Sequence, residues 1–111
     1  MMRLILAVVH EGDADGAAQA LVDRGFIATT ISSSGGFLRE SNVTIMVGVQ
    51  TEFVPEVLRI LKRHSQARSR FVNPLMPIVE PAEFHVPNPV EVQIGGATVF
   101  VLPVERYERI A

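Results

Sequence analysis

Few side chains in this sequence have the types and spacing that catalysis or metal binding requires. His10, His64 and His85 lie far apart and lack the i, i+3 or i+4 spacing of a metal site. There is no cysteine, which removes disulfides, thiolate nucleophiles and zinc–thiolate clusters. The serines at 32–34 have no candidate base near them in sequence. We therefore predict a protein that is not an enzyme, with no catalytic residue, no metal site and no cofactor.

Acidic residues precede the first predicted helix. Glu11, Asp13 and Asp15 lack the further oxygen ligands that a calcium loop supplies. Asp13 or Asp15 is instead suited to accept hydrogen bonds from the free amides of a helix N-terminus. We predict helix capping here.

The most informative stretch runs from Ser32 to Asn42 and reads Ser-Ser-Ser-Gly-Gly-Phe-Leu-Arg-Glu-Ser-Asn. Its adjacent glycines allow the backbone to approach a ligand closely with its amides aimed inward. Phe37 adds an aromatic face on which a base can stack. This combination favours a nucleotide site. The competing interpretation is a glycine-rich turn whose Phe37 and Leu38 pack into the core.

Charge and hydropathy exclude several classes of partner. The chain carries 10 basic and 12 acidic residues, so it has no broad positive field for DNA or RNA. A short basic run, formed by Lys62, Arg63, Arg68 and Arg70, suits a helix C-terminus better than a phosphate site. The first apolar run, Leu4 to Val9, is too short for a membrane span or a secretory signal. We expect a cytoplasmic protein without membrane insertion.

The elements that must position these residues follow from hydrophobic periodicity. The run from Leu4 to Val9 predicts a strand covered on both faces. A helix ending at Gly25 follows, and then a strand from Phe26 to Ile31 that alternates between two faces. The next strand, from Asn42 to Gln50, is expected to pair with it in antiparallel fashion.

The second half of the chain repeats the strand–helix order. Thr51 suits the N-cap of a second amphipathic helix. Residues 66–89 contain five prolines and predict a long loop. Gly95 and Gly96 then predict a tight hairpin between two final strand segments. All 111 residues are expected to form one α+β domain with a ferredoxin-like βαββαβ order and a long loop before the last strand.

Several separated blocks give the sequence a family resemblance. They are Gly25-Phe26-Ile27-Ala28-Thr29, Ser34-Gly35-Gly36-Phe37-Leu38-Arg39, Asn42-Val43-Thr44, Pro89-Val90-Glu91-Val92 and Gly95-Gly96-Ala97-Thr98-Val99-Phe100-Val101-Leu102-Pro103-Val104. In this order they resemble the cyclic di-AMP receptor family of P-II-like signal transduction proteins. The resemblance spans nearly the whole chain.

The resemblance implies a homotrimer of P-II-like subunits with three equivalent clefts between neighbours. Each cleft would hold one cyclic dinucleotide, most simply cyclic di-AMP, and ligand binding would rearrange long loops that a protein partner, not yet identified, reads. The ligand-binding positions implied for this sequence are Gly25, Ile27, Thr29, Gly36, Phe37, Leu38, Asn42, Gly48, Phe100 and Arg109.

This sequence departs from the family's best-known receptors, which carry asparagine where Gly25 stands and arginine where Ile27 stands. A guanidinium facing a phosphodiester or an adenine edge contributes charge-assisted hydrogen bonds of about 1.5–3 kcal/mol each. Ile27 contributes none. Ser41 also replaces the usual glycine before Asn42.

Two other functions therefore stay open beside cyclic di-AMP binding. One is a trimeric interaction scaffold that does not bind cyclic di-AMP. The other is a sensor of a different adenine nucleotide or of a small metabolite, which an uncharged Ile27 would favour.

Overall fold

A four-stranded antiparallel sheet carries two helices on one face in this computed structural model. The structure describes residues 1–32, 42–72 and 90–111; for residues 70–72 and 90–94 it describes only the backbone. The elements in chain order are β1 (Met2–His10), α1 (Glu11–Asp23), β2 (Ala28–Ser32), β3 (Asn42–Gln50), a 3₁₀ turn (Thr51–Phe53), α2 (Val54–His64), β4 (Arg68–Val72), β5 (Val90–Ile94) and β6 (Ala97–Pro103).

The main sheet has the strand order β2-β3-β1-β6, with every neighbouring pair antiparallel. Together with α1 and α2 this is the ferredoxin-like order that the sequence predicts. The alternation of β3 is confirmed in detail, because Val43, Ile45, Val47 and Val49 are all buried. The predicted antiparallel pairing of β2 with β3 is also confirmed.

The core lies between one face of the sheet and the helices. It consists of side chains from β1 and β3 packed against the inner sides of α1 and α2: Ile5, Ala7, Val9, Ala14, Ala17, Leu21, Val43, Ile45, Val47, Val49, Val57 and Leu61. Phe26 and Ala28 pack against this cluster. Phe26 also makes an edge-to-face contact with Phe53, with ring centroids 6.0 Å apart.

The opposite side of the sheet differs from the prediction that β1 is covered on both faces. In β1, Leu4, Leu6 and Val8 alternate with the core residues and are only partly buried. We call this side the open face. It is formed by Leu4, Leu6, Val8, Thr29, Ile31, Asn42, Thr44, Met46, Gly48, Thr98, Phe100 and Leu102. Seven of these twelve residues are apolar, and α1 and α2 both lie on the other side of the sheet.

The ends of α1 show one wrong prediction and one confirmed prediction. Neither Asp13 nor Asp15 caps the helix, because His10 is the N-cap and its Nδ1 accepts a hydrogen bond from the Gly12 amide at 3.0 Å. Gly25 does end the helix. It adopts a left-handed φ of 89°, and the amides of Gly25 and Phe26 donate to the carbonyls of Val22 and Leu21. Because the Phe26 amide is used here, β2 begins later than predicted, at Ala28.

The start of α2 also differs from the prediction. Thr51 begins the 3₁₀ turn and is not the N-cap of α2, whose N-cap is Phe53 without a side-chain hydrogen bond. The Thr51 hydroxyl instead donates to the Met1 carbonyl at 2.8 Å. Lys62, Arg63 and His64 fill the last turn of α2, where cations complement the helix dipole.

Two predictions about the region after α2 are wrong. Part of the predicted loop 66–89 is strand β4, which pairs with β5 in a separate two-stranded sheet. We call β4 and β5 the ribbon; residues 73–89 lie outside the described part of the chain. The predicted hairpin across Gly95 and Gly96 does not form, because β6 pairs with β1 in the main sheet. Periodicity identified β5 and β6 as strands, but it did not identify their partners and it missed β4.

Gly95 is required at the base of the ribbon for two reasons. Its φ of 84° is left-handed, and a Cβ there would lie 2.6 Å from the Gln66 carbonyl oxygen and 2.7 Å from Nη1 of Arg68. Gly96 has nearly the same φ, 82°, but a Cβ there would only touch the Ala67 Cβ at an ordinary 3.7 Å. Comparing substitutions at Gly95 and Gly96 therefore distinguishes the cost of steric overlap from the cost of a left-handed backbone.

We expect Gly95→Ala to lower the free energy of unfolding by at least about 1 kcal/mol more than Gly96→Ala, which carries a conformational cost of about 1–2 kcal/mol. Urea denaturation of both variants measures the difference. Equal losses in the two variants would show that the Gln66 carbonyl moves aside without cost.

Candidate functional site

Four of the residues implied as ligand contacts lie on the open face. Thr29 is exposed on β2, Asn42 begins β3, Gly48 lies near the end of β3, and Phe100 lies on β6 with 52% of its surface exposed. The strand registers place all four side chains or Cα atoms on the side away from the helices. The structure thus brings them to one face, but not to one point.

Thr29 and Phe100 lie at opposite edges of that face. Thr29 pairs with Met46, Met46 with Leu6, and Leu6 with Phe100, so the four residues form one row across the sheet. Neighbouring strands are about 4.8 Å apart, which places the two ends of the row about 14 Å apart. The backbones of Thr29 and Phe100 in one chain are therefore separated by the full width of the sheet.

Asn42 and Gly48 are separated along their strand. They are the first and seventh residues of β3, and a rise of about 3.4 Å per residue places them about 20 Å apart. Asn42 pairs with His10 and Gly48 with Leu4, at opposite ends of β1. A Cβ added to Gly48 would meet no atom within 4 Å. Nothing within the described part of the chain therefore requires glycine at this position.

Gly25 and Ile27 lie just before β2, beside the edge that carries Thr29. Gly25 has a structural reason to be glycine, since it ends α1 in the left-handed conformation. Asparagine, the residue of the related receptors, also tolerates that conformation, so both residues satisfy the helix end. Ile27 is 82% exposed, and the structure gives it no role in the core. An arginine at position 27 would have room for its side chain.

The remaining implied positions contribute less to the described geometry. Arg109 is exposed in the segment that follows β6, where Tyr107 and Ile110 are also exposed. The backbone amide of Val104 holds the start of this segment by donating to the Met2 carbonyl at 3.1 Å. Gly36, Phe37 and Leu38 lie outside the described residues, as do Arg39 and Ser41.

A groove on the helical side of the sheet is separate from these positions. It has a volume of about 430 Å³ and lies between α2 and the start of β6, with Leu58, Leu61 and Val99 among its lining residues. None of the implied ligand contacts lines it. In the described ranges, no three histidine, aspartate or glutamate side chains lie close enough to hold a metal ion, and no helix is long and apolar enough to cross a membrane.

Sequence reasoning did not single out the residues between the two edges of the open face. Leu4, Leu6, Val8 and Met46 connect the implied contacts and supply most of the apolar area between them. The unbroken apolar run of β1 could have indicated them, because only every second residue of a strand can face the core beneath the helices. The Asp13–Arg68 ion pair was also missed, because the two residues lie 55 positions apart.

The fold and the comparisons agree on the class of protein. The order β2-β3-β1-β6 under two helices is a ferredoxin-like arrangement, and a P-II protein shares this fold. The structure is similar to that of Arabidopsis thaliana PII bound to citrate, with a TM-score of 0.59, 18% identity, and coverage of 93% of this chain and 77% of that one. At this identity the likeness concerns the fold alone.

The family model described as cyclic-di-AMP receptor matches residues 2–110, and the chain belongs to this family. It is also similar to a functionally unknown protein from Pediococcus pentosaceus ATCC 25745, whose crystal structure matches with a TM-score of 0.72 and 39% identity. That match covers 98% of this chain and 97% of the other. The family resemblance stated from the sequence is therefore confirmed, and the chain is a P-II-like signalling protein.

Proposed function

We propose that this protein is a receptor for a cyclic dinucleotide, with cyclic di-AMP as the favoured ligand, which it binds in clefts between the subunits of a homotrimer. Membership of the cyclic-di-AMP receptor family supports the ligand class. The implied contacts suit binding rather than catalysis, since they offer aromatic and aliphatic side chains, a hydroxyl, an amide, a guanidinium and open backbone. Ligand binding would then be relayed through rearrangement of loops that a protein partner recognises.

The observation that carries the proposal is the separation of the implied contacts within one chain. Thr29 and Phe100 lie at opposite edges of the open face, about 14 Å apart by strand spacing. If the β2 edge of one copy lies beside the β6 edge of another, Thr29 and Phe100 of different copies line the same cleft. Three copies arranged in a ring close such contacts and give three equivalent clefts.

The open face supports assembly of this kind. Ile31, Phe100 and Leu102 are each between 41% and 52% exposed, and Leu4, Leu6 and Val8 form an apolar strip between them. An apolar patch of this extent on a small domain is typical of an interaction surface. Packing three open faces together would remove the patch from water and cover β1 on its second side.

Ile27 and Gly25 bear on affinity rather than on assembly. Both lie at the β2 edge, and Ile27 is exposed there without a charged group to offer a phosphodiester. The loss of one charge-assisted contact corresponds to about tenfold weaker binding or more. We therefore propose cyclic di-AMP binding that is weaker than in relatives with arginine at this position.

Assembly through the open face predicts that Leu6→Glu dissociates the trimer, because a carboxylate at the centre of an apolar interface loses its hydration without a partner. Val22→Glu is the matched control, since Val22 is 50% exposed on α1. Light scattering coupled to size-exclusion chromatography reports the mass. A monomeric wild type, or a Leu6→Glu variant that stays trimeric, would contradict this assembly.

Ligand binding is tested by calorimetry and thermal shift with cyclic di-AMP, cyclic di-GMP, ATP and ADP. We expect cyclic di-AMP to release or absorb heat on binding and to raise Tm, because a ligand that binds only the native state stabilises it by mass action. No response to cyclic di-AMP at high micromolar concentration would overturn the proposal. A response to ATP or ADP alone would identify a sensor of another adenine nucleotide.

Ile27→Arg is expected to tighten cyclic di-AMP binding by about tenfold, the value of one charge-assisted contact. Val22→Arg adds the same charge on α1, outside the open face, and controls for general attraction of an anion. Calorimetry on both variants makes the comparison. Equal tightening in the two, or none at Ile27→Arg, would place position 27 outside the ligand site.

A further inference from the structure

One arginine ties the ribbon to the helical layer. Arg68 is the first residue of β4, and both its terminal nitrogens donate to the Asp13 carboxylate: Nη2 to Oδ1 at 3.2 Å and Nη1 to Oδ2 at 3.3 Å. Two parallel bonds are the strong and directional form of an arginine–carboxylate pair. Because Asp13 lies in the first turn of α1, the pair joins the ribbon to that helix.

The surroundings make this pair more than a surface contact. The Asp13 side chain is only 10% exposed, and that of Arg68 is 46% exposed, so solvent screens the carboxylate little. Nη1 of Arg68 also donates to the Gln66 carbonyl at 3.1 Å and lies against Gly95. The Arg68 guanidinium thus contacts α1, the connection from α2 to β4 and the connection from β5 to β6.

Asp13 is available for this contact because it does not cap its helix. His10 is the N-cap of α1, which leaves the Asp13 carboxylate turned toward Arg68. The strands of the ribbon pair with each other and belong to a sheet separate from the main one. The ribbon can therefore change its orientation without breaking any hydrogen bond of the main sheet.

We propose that Asp13 and Arg68 form a clamp that fixes the ribbon against the N-terminus of α1, and that opening the clamp releases the ribbon while the main sheet stays folded. His10, which begins the turn carrying Asp13, pairs with Asn42 in the ladder of β1 and β3. The clamp is therefore attached to the end of the sheet that carries one implied ligand contact. Control of the clamp by nucleotide is an extension that rests on the proposed function.

The clamp is tested without nucleotide, by hydrogen exchange on the full-length protein. Asp13→Ala and Arg68→Gln each remove one partner, and we expect each to speed amide exchange in residues 68–72 and 90–94 by about tenfold. Exchange in β1 and β3 should stay unchanged. The double variant should exchange no faster than either single variant, because the same interaction is lost once.

Glu56→Ala is the matched control. Glu56 is also an acidic residue in the first turn of a helix, and it pairs with Arg24 at 3.1 Å. Its loss should leave the exchange of the ribbon unchanged. The clamp would be overturned if the two substitutions sped ribbon exchange additively in the double variant, or if exchange became faster throughout the chain. It would also be overturned if Glu56→Ala sped ribbon exchange to the same extent.

The nucleotide extension has a separate readout. If wild type binds cyclic di-AMP, exchange of the ribbon should change on binding, and Asp13→Ala should abolish that change while still binding the nucleotide. Failure of wild type to bind contradicts the proposed function, and the clamp is then decided by ribbon exchange in the nucleotide-free variants. Binding that leaves ribbon exchange unaltered contradicts the extension alone.

Discussion

The position of β1 at the centre of the sheet is the constraint on which the rest of the structure depends. β1 pairs with β3 on one side and β6 on the other, so every residue from Arg3 to Val9 has partners in both directions. From Leu4 to Val9 its side chains are apolar on both faces. The helices cover Ile5, Ala7 and Val9. On the open face, neither α1 nor α2 covers Leu4, Leu6 and Val8. In the part of the chain that the structure describes, no helix lies on this side, and in the proposed trimer other copies would cover it.

The same constraint is the physical argument for the proposed sharing of a site between copies. With β1 and β3 in the middle, the polar and aromatic contacts at β2 and β6 are kept at the two edges of the sheet. In the proposed trimer, each copy would contribute one side of a cleft at each edge. Assembly that buries the apolar strip would also bring two different edges together, so one packing arrangement would form both the interface and the ligand site.

Sequence reasoning predicted the fold well wherever a segment had one buried face. The alternation of β3 and the end of α1 at Gly25 followed directly from hydrophobic period and from the left-handed conformation that glycine favours. Sequence reasoning failed where the pairing partner of a strand had to be predicted. β5 and β6 were assigned to one hairpin, although the packing of Gly95 against Gln66 and Arg68 directs β5 to β4. Helix caps were also misassigned: His10 takes the N-cap of α1 in place of Asp13, and Thr51 donates to the Met1 carbonyl instead of capping α2.

The candidate site was predictable only as a set of positions, because its geometry depends on strand order and on assembly. The two departures from the related receptors now have different physical meanings. At Gly25, glycine and asparagine both satisfy the end of α1, so the fold tolerates the change and only an amide is lost. At Ile27, nothing in the described structure requires an apolar residue, and an exposed isoleucine gains no burial energy in one copy. In the proposed cleft, an apolar side chain at this position can pack against the face of a base. Such a contact would replace a charged interaction with a hydrophobic one, which would weaken recognition of phosphate and leave recognition of the adenine ring to apolar packing.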